Sequence, residues 1–436
     1  MERFWANSSV TMRVGVVTKQ AIFDQYFKLW SLFLPMTSFL LIPSIQGTTP
    51  GYLFAFFSIV LVFILKIKIN YLKYWMIFVI LFAGLTIISQ FGTYFSSYDV
   101  GHLELVDKTD NSLVFRKSFF TQSMYLVAVF STFAFIANYY TEKWDKYIFR
   151  GAVLLICYGI YEFLYYLIFH DNGDFLSNRS FDDKSSLGLV ETHNGSSFQK
   201  ITFGGITLLR MDSLTGEPSM FAFSLLPFWI YSIHLGKKKL SMVLLTVILL
   251  STSTSAFLGV FLYFIFRLLK YGIKDKMIFS YTTAGILVGG LAYKVIWTVF
   301  EKVIFEKLTL QNISGIDRFR LFTENINFFA DLHIYQKIFG IGFGTIRSTD
   351  FFTTLLVNCG IAGFIVFSSL FFWPLLKLGR DYRDIGLKWA IFIQYFIMMI
   401  SVPEFAYLPT WLFLGIAYKR IWDRRKQYKL GLTTTP

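Results

Sequence analysis

Two stretches of the chain hold polar residues at spacings suited to anion chemistry. The first, Arg210-Met-Asp-Ser-Leu-Thr-Gly-Glu217-Pro218-Ser219, runs straight into an apolar segment. An arginine stays charged at any working pH and can grip phosphate through two parallel N–H bonds, so Arg210 suits a phosphate or diphosphate. The plain alternative for Arg210 is contact with a lipid headgroup. Pro218 fits the first position of a helix, which places Glu217 at the positive end of the helix dipole. Glu217 is then either a general base within reach of a hydroxyl or simply the cap of that helix.

The second stretch comes in two parts, Ser314-Gly-Ile-Asp317-Arg318-Phe-Arg320-Leu-Phe-Thr-Glu324 and Phe339-Gly340-Ile-Gly342-Phe-Gly344-Thr-Ile-Arg347-Ser-Thr-Asp350. Alternating glycines let backbone amides approach an anion, and Gly342 and Gly344 are the candidates here. No strand precedes them and no helix opens at once after them, so they are not a dinucleotide fingerprint. Alone they read as a flexible turn; with Arg318, Arg320 and Arg347 they read as a diphosphate site. Asp317 and Asp350 are alternatives to Glu217 as base. The five histidines, His102, His170, His193, His234 and His333, lack metal-ligand spacing, and no Asp-x-Asp pair offers a metal grip on a nucleotide sugar, so neither a metal nor another cofactor is expected. Glu162 and Lys294 fall inside apolar segments, where an ionisable group is a functional candidate. Lys294 lies near enough to a segment end to snorkel. Glu404, between Pro403 and Pro409, either faces a watery cavity or is an ordinary loop-tip charge.

The elements that must position these residues are membrane spans. The 436 residues are 55% hydrophobic, 20% aromatic and 16% charged, with mean hydropathy +0.54. That mix excludes a cytosolic enzyme, a disordered chain and a nucleic-acid-binding module. A crossing helix needs about 20 apolar residues. Runs of that kind fall at 27–45, 51–65, 74–90, 119–138, 147–169, 218–235, 278–299 and 351–376. Two shorter-armed hairpins, 240–251 with 255–269 and 387–402 with 408–421, complete about 12 transmembrane segments. Lys66, Lys68 and Lys73, then Lys237, Lys238 and Lys239, then Arg267, Lys270, Lys274 and Lys276, then Arg380, Arg383 and Lys388, and finally the basic tail from Lys419 to Lys429 all fall on one side if both hairpins cross twice. Basic loops stay in the cytoplasm, so both termini are expected there, and the net charge of +14 is a topology signal rather than a nucleic-acid footprint. The chain reads as one all-α polytopic membrane domain over 1–436, with outer loops at 91–118, 171–217 and 300–350 that carry the candidate site. Residues 197–211 alternate around Gly204-Gly205 and predict a small hairpin. The spacing of Phe319, Phe322, Ile326, Phe329 and His333 predicts an interfacial helix within 317–337.

Four stretches together resemble the O-antigen polymerases (Wzy type) and O-antigen ligases, membrane glycosyltransferases that use polyprenyl-diphosphate-linked glycans. Arg210 to Ala222 is similar to the polymerases' arginine, Glu-Pro and helix arrangement. Leu250 to Gly259 (LSTSTSAFLG) is similar to their serine-rich hairpin. Ser314 to Phe322 with Phe339 to Thr345 resembles their outer-loop arginine and Gly-x-Gly-x-Gly turn, and Phe351 to Phe367 resembles the helix that follows. Ligases commonly carry a His-Asn pair where this chain has Thr349-Asp350, and many place a basic residue where Thr254 stands. The resemblance therefore leans to the polymerases.

That resemblance implies a GT-C-like helical fold and a multi-pass protein of a bacterial cytoplasmic (inner) membrane. It implies donor and acceptor glycans on undecaprenyl diphosphate, contact with membrane lipid, and room for a chain-length regulator as partner, with no nucleic acid. Metal-free transfer would then use Arg210 and Arg318 on the donor diphosphate, Arg320 and Arg347 assisting, and Glu217 as base. The competing readings are the ligase activity, which differs only in acceptor, and a flippase or transporter for lipid-linked sugars. The latter would show matching halves and interrupted midplane helices, and neither is evident here.

Overall fold

In the computed structural model the described residues are 19–43, 45–65, 67–95, 98–100, 103–110, 112, 114–179, 192–193, 196–203, 205–272 and 313–430, with isolated positions (275, 283, 297, 301, 305, 306, 309 and 311) between the last two blocks. The chain is mostly helical, and among the described residues five helices are long and apolar enough to cross a membrane. In chain order the helices are α1 (19–33), α2 (Pro50–Leu65), α3 (Ile69–Phe95), α4 (Lys117–Tyr139), the single turn α5 (Asp145–Ile148), α6 (Arg150–Phe169), α7 (Pro218–His234), α8 (Lys238–Leu250), α9 (Thr254–Tyr271), α10 (Ile313–Asp331), α11 (Ile334–Phe339), α12 (Phe351–Lys377), α13 (Tyr382–Ile400) and α14 (Leu408–Lys429). The expected span at 278–299, with Lys294, lies outside the described residues.

Apolar residues cover both the inside and the outside of this bundle. The interior is aromatic: Trp30, Trp144, Trp229, Phe221, Phe223 and Phe228 are fully buried. The exterior of α3 carries Met76, Ile77, Val79, Ile80 and Ile87, all exposed, as expected where the surrounding solvent is hydrocarbon. Helix α7 runs through the centre, with nearly every residue buried, and packs on α8, α9 and α13, while α14 packs on α4.

The first expected span differs from the structure. Its helix closes at residue 33 rather than continuing to 45, and residues 34–43 and 45–49 form turns. Pro35 supplies the reason: its ring denies the preceding residue the α conformation and removes a backbone donor. The freed backbone is satisfied across the fold, because the Thr37 and Ser38 amides both donate to the Leu214 carbonyl at 3.0 and 3.1 Å.

The 197–211 hairpin forms as expected. After a two-residue pair, β1 (Thr192–His193) with β2 (Ser196–Ser197), strands β3 (Lys200–Phe203) and β4 (Ile206–Leu209) pair antiparallel, Lys200 opposite Leu209. The helix predicted within 317–337 is present but broken: α10 ends at Asp331 and α11 restarts after Leu332-His333.

Candidate functional site

One end of the bundle gathers the loop segments before α7, before α12 and between α13 and α14. The last of these, Ser401 to Tyr407, is the meeting point. Arg318 of α10 donates from one guanidinium nitrogen to the Ser401 carbonyl at 3.0 Å and to its Oγ at 3.1 Å. Asp350 is an electrostatic neighbour of Arg318, and burial lowers the Arg318 pKa below its ordinary value. Arg347 forms an ion pair with Glu404. Arg179, from the segment before the hairpin, shares its electrostatic surroundings with Glu404: both act on Tyr52, Tyr125 and Tyr407. Arg179 also donates to the Thr37 carbonyl at 3.2 Å, and Thr37 Oγ1 donates to the Thr215 carbonyl at 3.1 Å.

Arg210 is held elsewhere on this network. It donates from Nε to Thr252 Oγ1 at 3.1 Å, from Nη2 to the Thr252 carbonyl at 3.2 Å, and from Nη1 to Gln199 Oε1. The guanidinium therefore bolts the β3–β4 hairpin to the serine- and threonine-rich turn between α8 and α9. Burial lowers its pKa to about 10, which leaves it charged at neutral pH. Arg210 and Arg318 are thus anchored on different turns, and no contact among the described residues joins them directly.

A buried acidic group stands beside Arg210. Asp212 is 5% exposed and Glu162 on α6 is 2% exposed, and each has Asp174 as an electrostatic neighbour. The Ser213 backbone approaches Glu162 without closing a hydrogen bond. Burial pushes the Asp212 pKa well above its ordinary value, with Asp174 adding to the rise.

The remaining predicted residues have definite places. Glu217 occupies the N-cap position of α7 with extended backbone, but its side chain makes no cap bond; it accepts from Ser219 Oγ at 3.2 Å. Asp350 caps α12, accepting from the Thr353 amide at 2.7 Å and from Ser348 Oγ and Thr353 Oγ1 at 2.9 Å. Asp317 and Arg320 pair within α10 at 3.7 Å, and Arg320 also pairs with Glu324 at 3.1 Å on an exposed face.

The glycine turn does work other than cradling an anion. The amides of Gly340, Ile341 and Gly342 donate to the carbonyls of Gln336, Val357 and Asn358 at 2.7, 3.0 and 3.0 Å. The Gly342 amide, expected to face an anion, is therefore already engaged. Gly342 and Gly344 have positive φ, and a Cβ on either would stand under 3.0 Å from Gln90 or Gln122. Positive φ accounts for the glycines at these positions, with close packing against Gln122 and the Ser118 backbone adding at Gly344.

Below this polar end lies an apolar cleft of about 310 Å³ between α3, α4, α12 and α14. Tyr74 and Tyr418 line it far from the turn, and Phe343, Phe351 and Phe405 line its near end. Phe405 follows Glu404 directly in sequence.

Sequence reasoning missed Arg179. No motif marks it, and its relevance comes from contacts with Thr37 and Ser38 more than a hundred residues away. No protein-family model, curated protein or solved structure matches the chain.

Proposed function

We propose that this chain is a polysaccharide polymerase of the O-antigen type. It transfers a glycan chain from undecaprenyl diphosphate to the sugar of another lipid-linked repeat unit, at the outer face of a bacterial cytoplasmic membrane. The reading requires about twelve crossings with both termini inside, which brings the Ser401–Tyr407 end to the outer surface.

What supports the reading is an apolar cleft with Phe343 and Phe405 in its lining, Phe405 being the sequence neighbour of Glu404, in the same turn where Glu404 pairs with Arg347 and Ser401 accepts from Arg318. A polyprenyl diphosphate has the same two-part chemistry, a long hydrocarbon tail joined to a polyanion. The acceptor's sugar hydroxyl attacks the donor's anomeric carbon while the bond to the diphosphate oxygen breaks. Negative charge grows on the leaving group, and fixed guanidinium groups stabilise that growth without reorganising. A carboxylate at this end, Glu217 or Glu404, accepts the hydroxyl proton.

The test is gene deletion followed by electrophoresis of the surface polysaccharide. A single repeat unit on the surface supports the polymerase. Complete loss of attached glycan points instead to a ligase or a flippase, and unchanged chain length contradicts all three.

A further inference from the structure

The proposal rests on the transfer reading above and concerns how the proton acceptor is made available. Glu404 and Arg347 neutralise each other in an ion pair, yet the two side chains differ in setting: Arg347 is 57% exposed and Glu404 17%. Their backbones are fixed independently. The Arg347 amide donates to the Glu104 carbonyl at 2.9 Å, and the Glu404 amide donates to the Val402 carbonyl at 2.7 Å inside its own turn. The bond between them can therefore open through side-chain motion alone. Phe405 and Phe343, close in sequence to Glu404 and Arg347 respectively, line the near end of the apolar cleft.

We infer that Arg347–Glu404 is an exchangeable ion pair: the donor's diphosphate takes Arg347, and the released Glu404 becomes the general base for the acceptor hydroxyl. Arg347 is the exposed partner and meets an arriving polyanion first. A diphosphate offers several charged oxygens where Glu404 offers one carboxylate, so it wins the planar guanidinium by bidentate contact. Arg179 shares with Glu404 the electrostatic surroundings of Tyr52 of α2, Tyr125 of α4 and Tyr407, so a second arginine stays near this turn after the exchange. In the step that follows, the acceptor oxygen forms the new bond to the anomeric carbon and the old carbon–oxygen bond breaks. Its electron pair leaves on the diphosphate, and the hydroxyl proton passes to Glu404. Exchange ties the availability of the base to the presence of donor.

The full-length protein in nanodiscs tests this with two readings, the rate of chain extension on lipid-linked repeats and the affinity for undecaprenyl diphosphate alone. Glu404→Gln is expected to lower the rate by about 100-fold or more, the scale of a lost general base. The same variant binds undecaprenyl diphosphate at least as tightly as the wild type, because Arg347 no longer has a competing carboxylate. Glu404→Asp restores part of the rate, and Arg347→Ala weakens binding. A Glu404→Gln rate within about twofold of the wild type overturns the role of base, given what such groups contribute. Loss of binding in step with loss of rate overturns the exchange, since that is the signature of a damaged turn. If the wild type extends nothing, the transfer reading falls and the base role with it, while the binding comparison still decides the exchange at Arg347.

Discussion

Gly360 lies backbone to backbone with Gly340. A Cβ on Gly360 would stand 2.5 Å from the Gly340 nitrogen and 2.3 Å from the Ile338 carbonyl oxygen, and a Cβ on Gly340 would stand 2.3 Å from the Asn358 carbonyl oxygen. Both residues have positive φ, and Gly360 breaks the helical geometry of α12. The turn that leads to Arg347 is therefore seated on a kink in the helix whose first turn Asp350 caps. Gly360→Ala meets a left-handed backbone and a fixed neighbour together. The backbone conformation alone costs about 1–3 kcal/mol. A lowered thermal unfolding midpoint in detergent checks this, and Gly84→Ala, where a Cβ meets nothing within 4 Å, is the control.

The two arginines of α10 are expected to behave differently. Arg318 points to the Ser401–Tyr407 turn, whereas Arg320 is exposed and neutralised by Asp317 and Glu324 on its own helix. Arg318→Ala should lower the transfer rate by about 100-fold, as when one preorganised donor is lost. Arg320→Ala should leave it within about threefold, because exposed pairs of this kind contribute little. Extension rates of folded variants on a common substrate decide it, and equal losses would contradict the assignment.

Filling the cleft should discriminate by tail length. Val366 lines it and is half-buried, so Val366→Trp puts an indole into space proposed for prenyl carbons. The KM for a long-chain lipid donor rises about tenfold or more, within the range set by changes in an apolar pocket. A donor with a short prenyl tail is affected less. Kinetics with paired donors check the prediction, and equal effects on both place the tail elsewhere.

Asp212 gives a pH dependence of definite sign. Its pKa in the folded protein is raised above the ordinary 3.8, so between that value and the folded one the native state holds a proton that the unfolded chain has lost. Stability therefore falls as pH rises through this window. Asp212→Asn removes the contribution. Variant and wild type should unfold alike below pH 3.8, with the variant gaining as pH rises. Unfolding midpoints across pH measure this, and a constant difference at every pH would count against it.

Helices such as α2, α4, α6 and α12 were legible because long apolar runs between polar ends leave few other solutions. The early close of α1 was less so, because apolar residues flank Pro35 on both sides and hide the break. The hairpin at Lys200–Leu209 followed from alternation around two glycines. At the site, Arg318, Arg347 and Asp350 were legible by type, while their setting was not. Arg318 meets Ser401, Arg347 meets Glu404 and Arg179 meets Thr37, all contacts between segments far apart in the chain. Gly342 shows the converse. Its pattern suggested an anion, yet the demand on its backbone comes from a positive φ and from the bond its amide makes to Asn358.

The most direct measurement is chain extension by purified protein in proteoliposomes supplied with lipid-linked repeat units. The wild type should build a ladder of lengthened products, and correctly inserted Arg318→Ala and Arg347→Ala proteins should extend at about one hundredth of its rate, the loss expected when a donor to the leaving group is removed. Normal ladders from both variants, or none from the wild type, would contradict the proposed transfer chemistry.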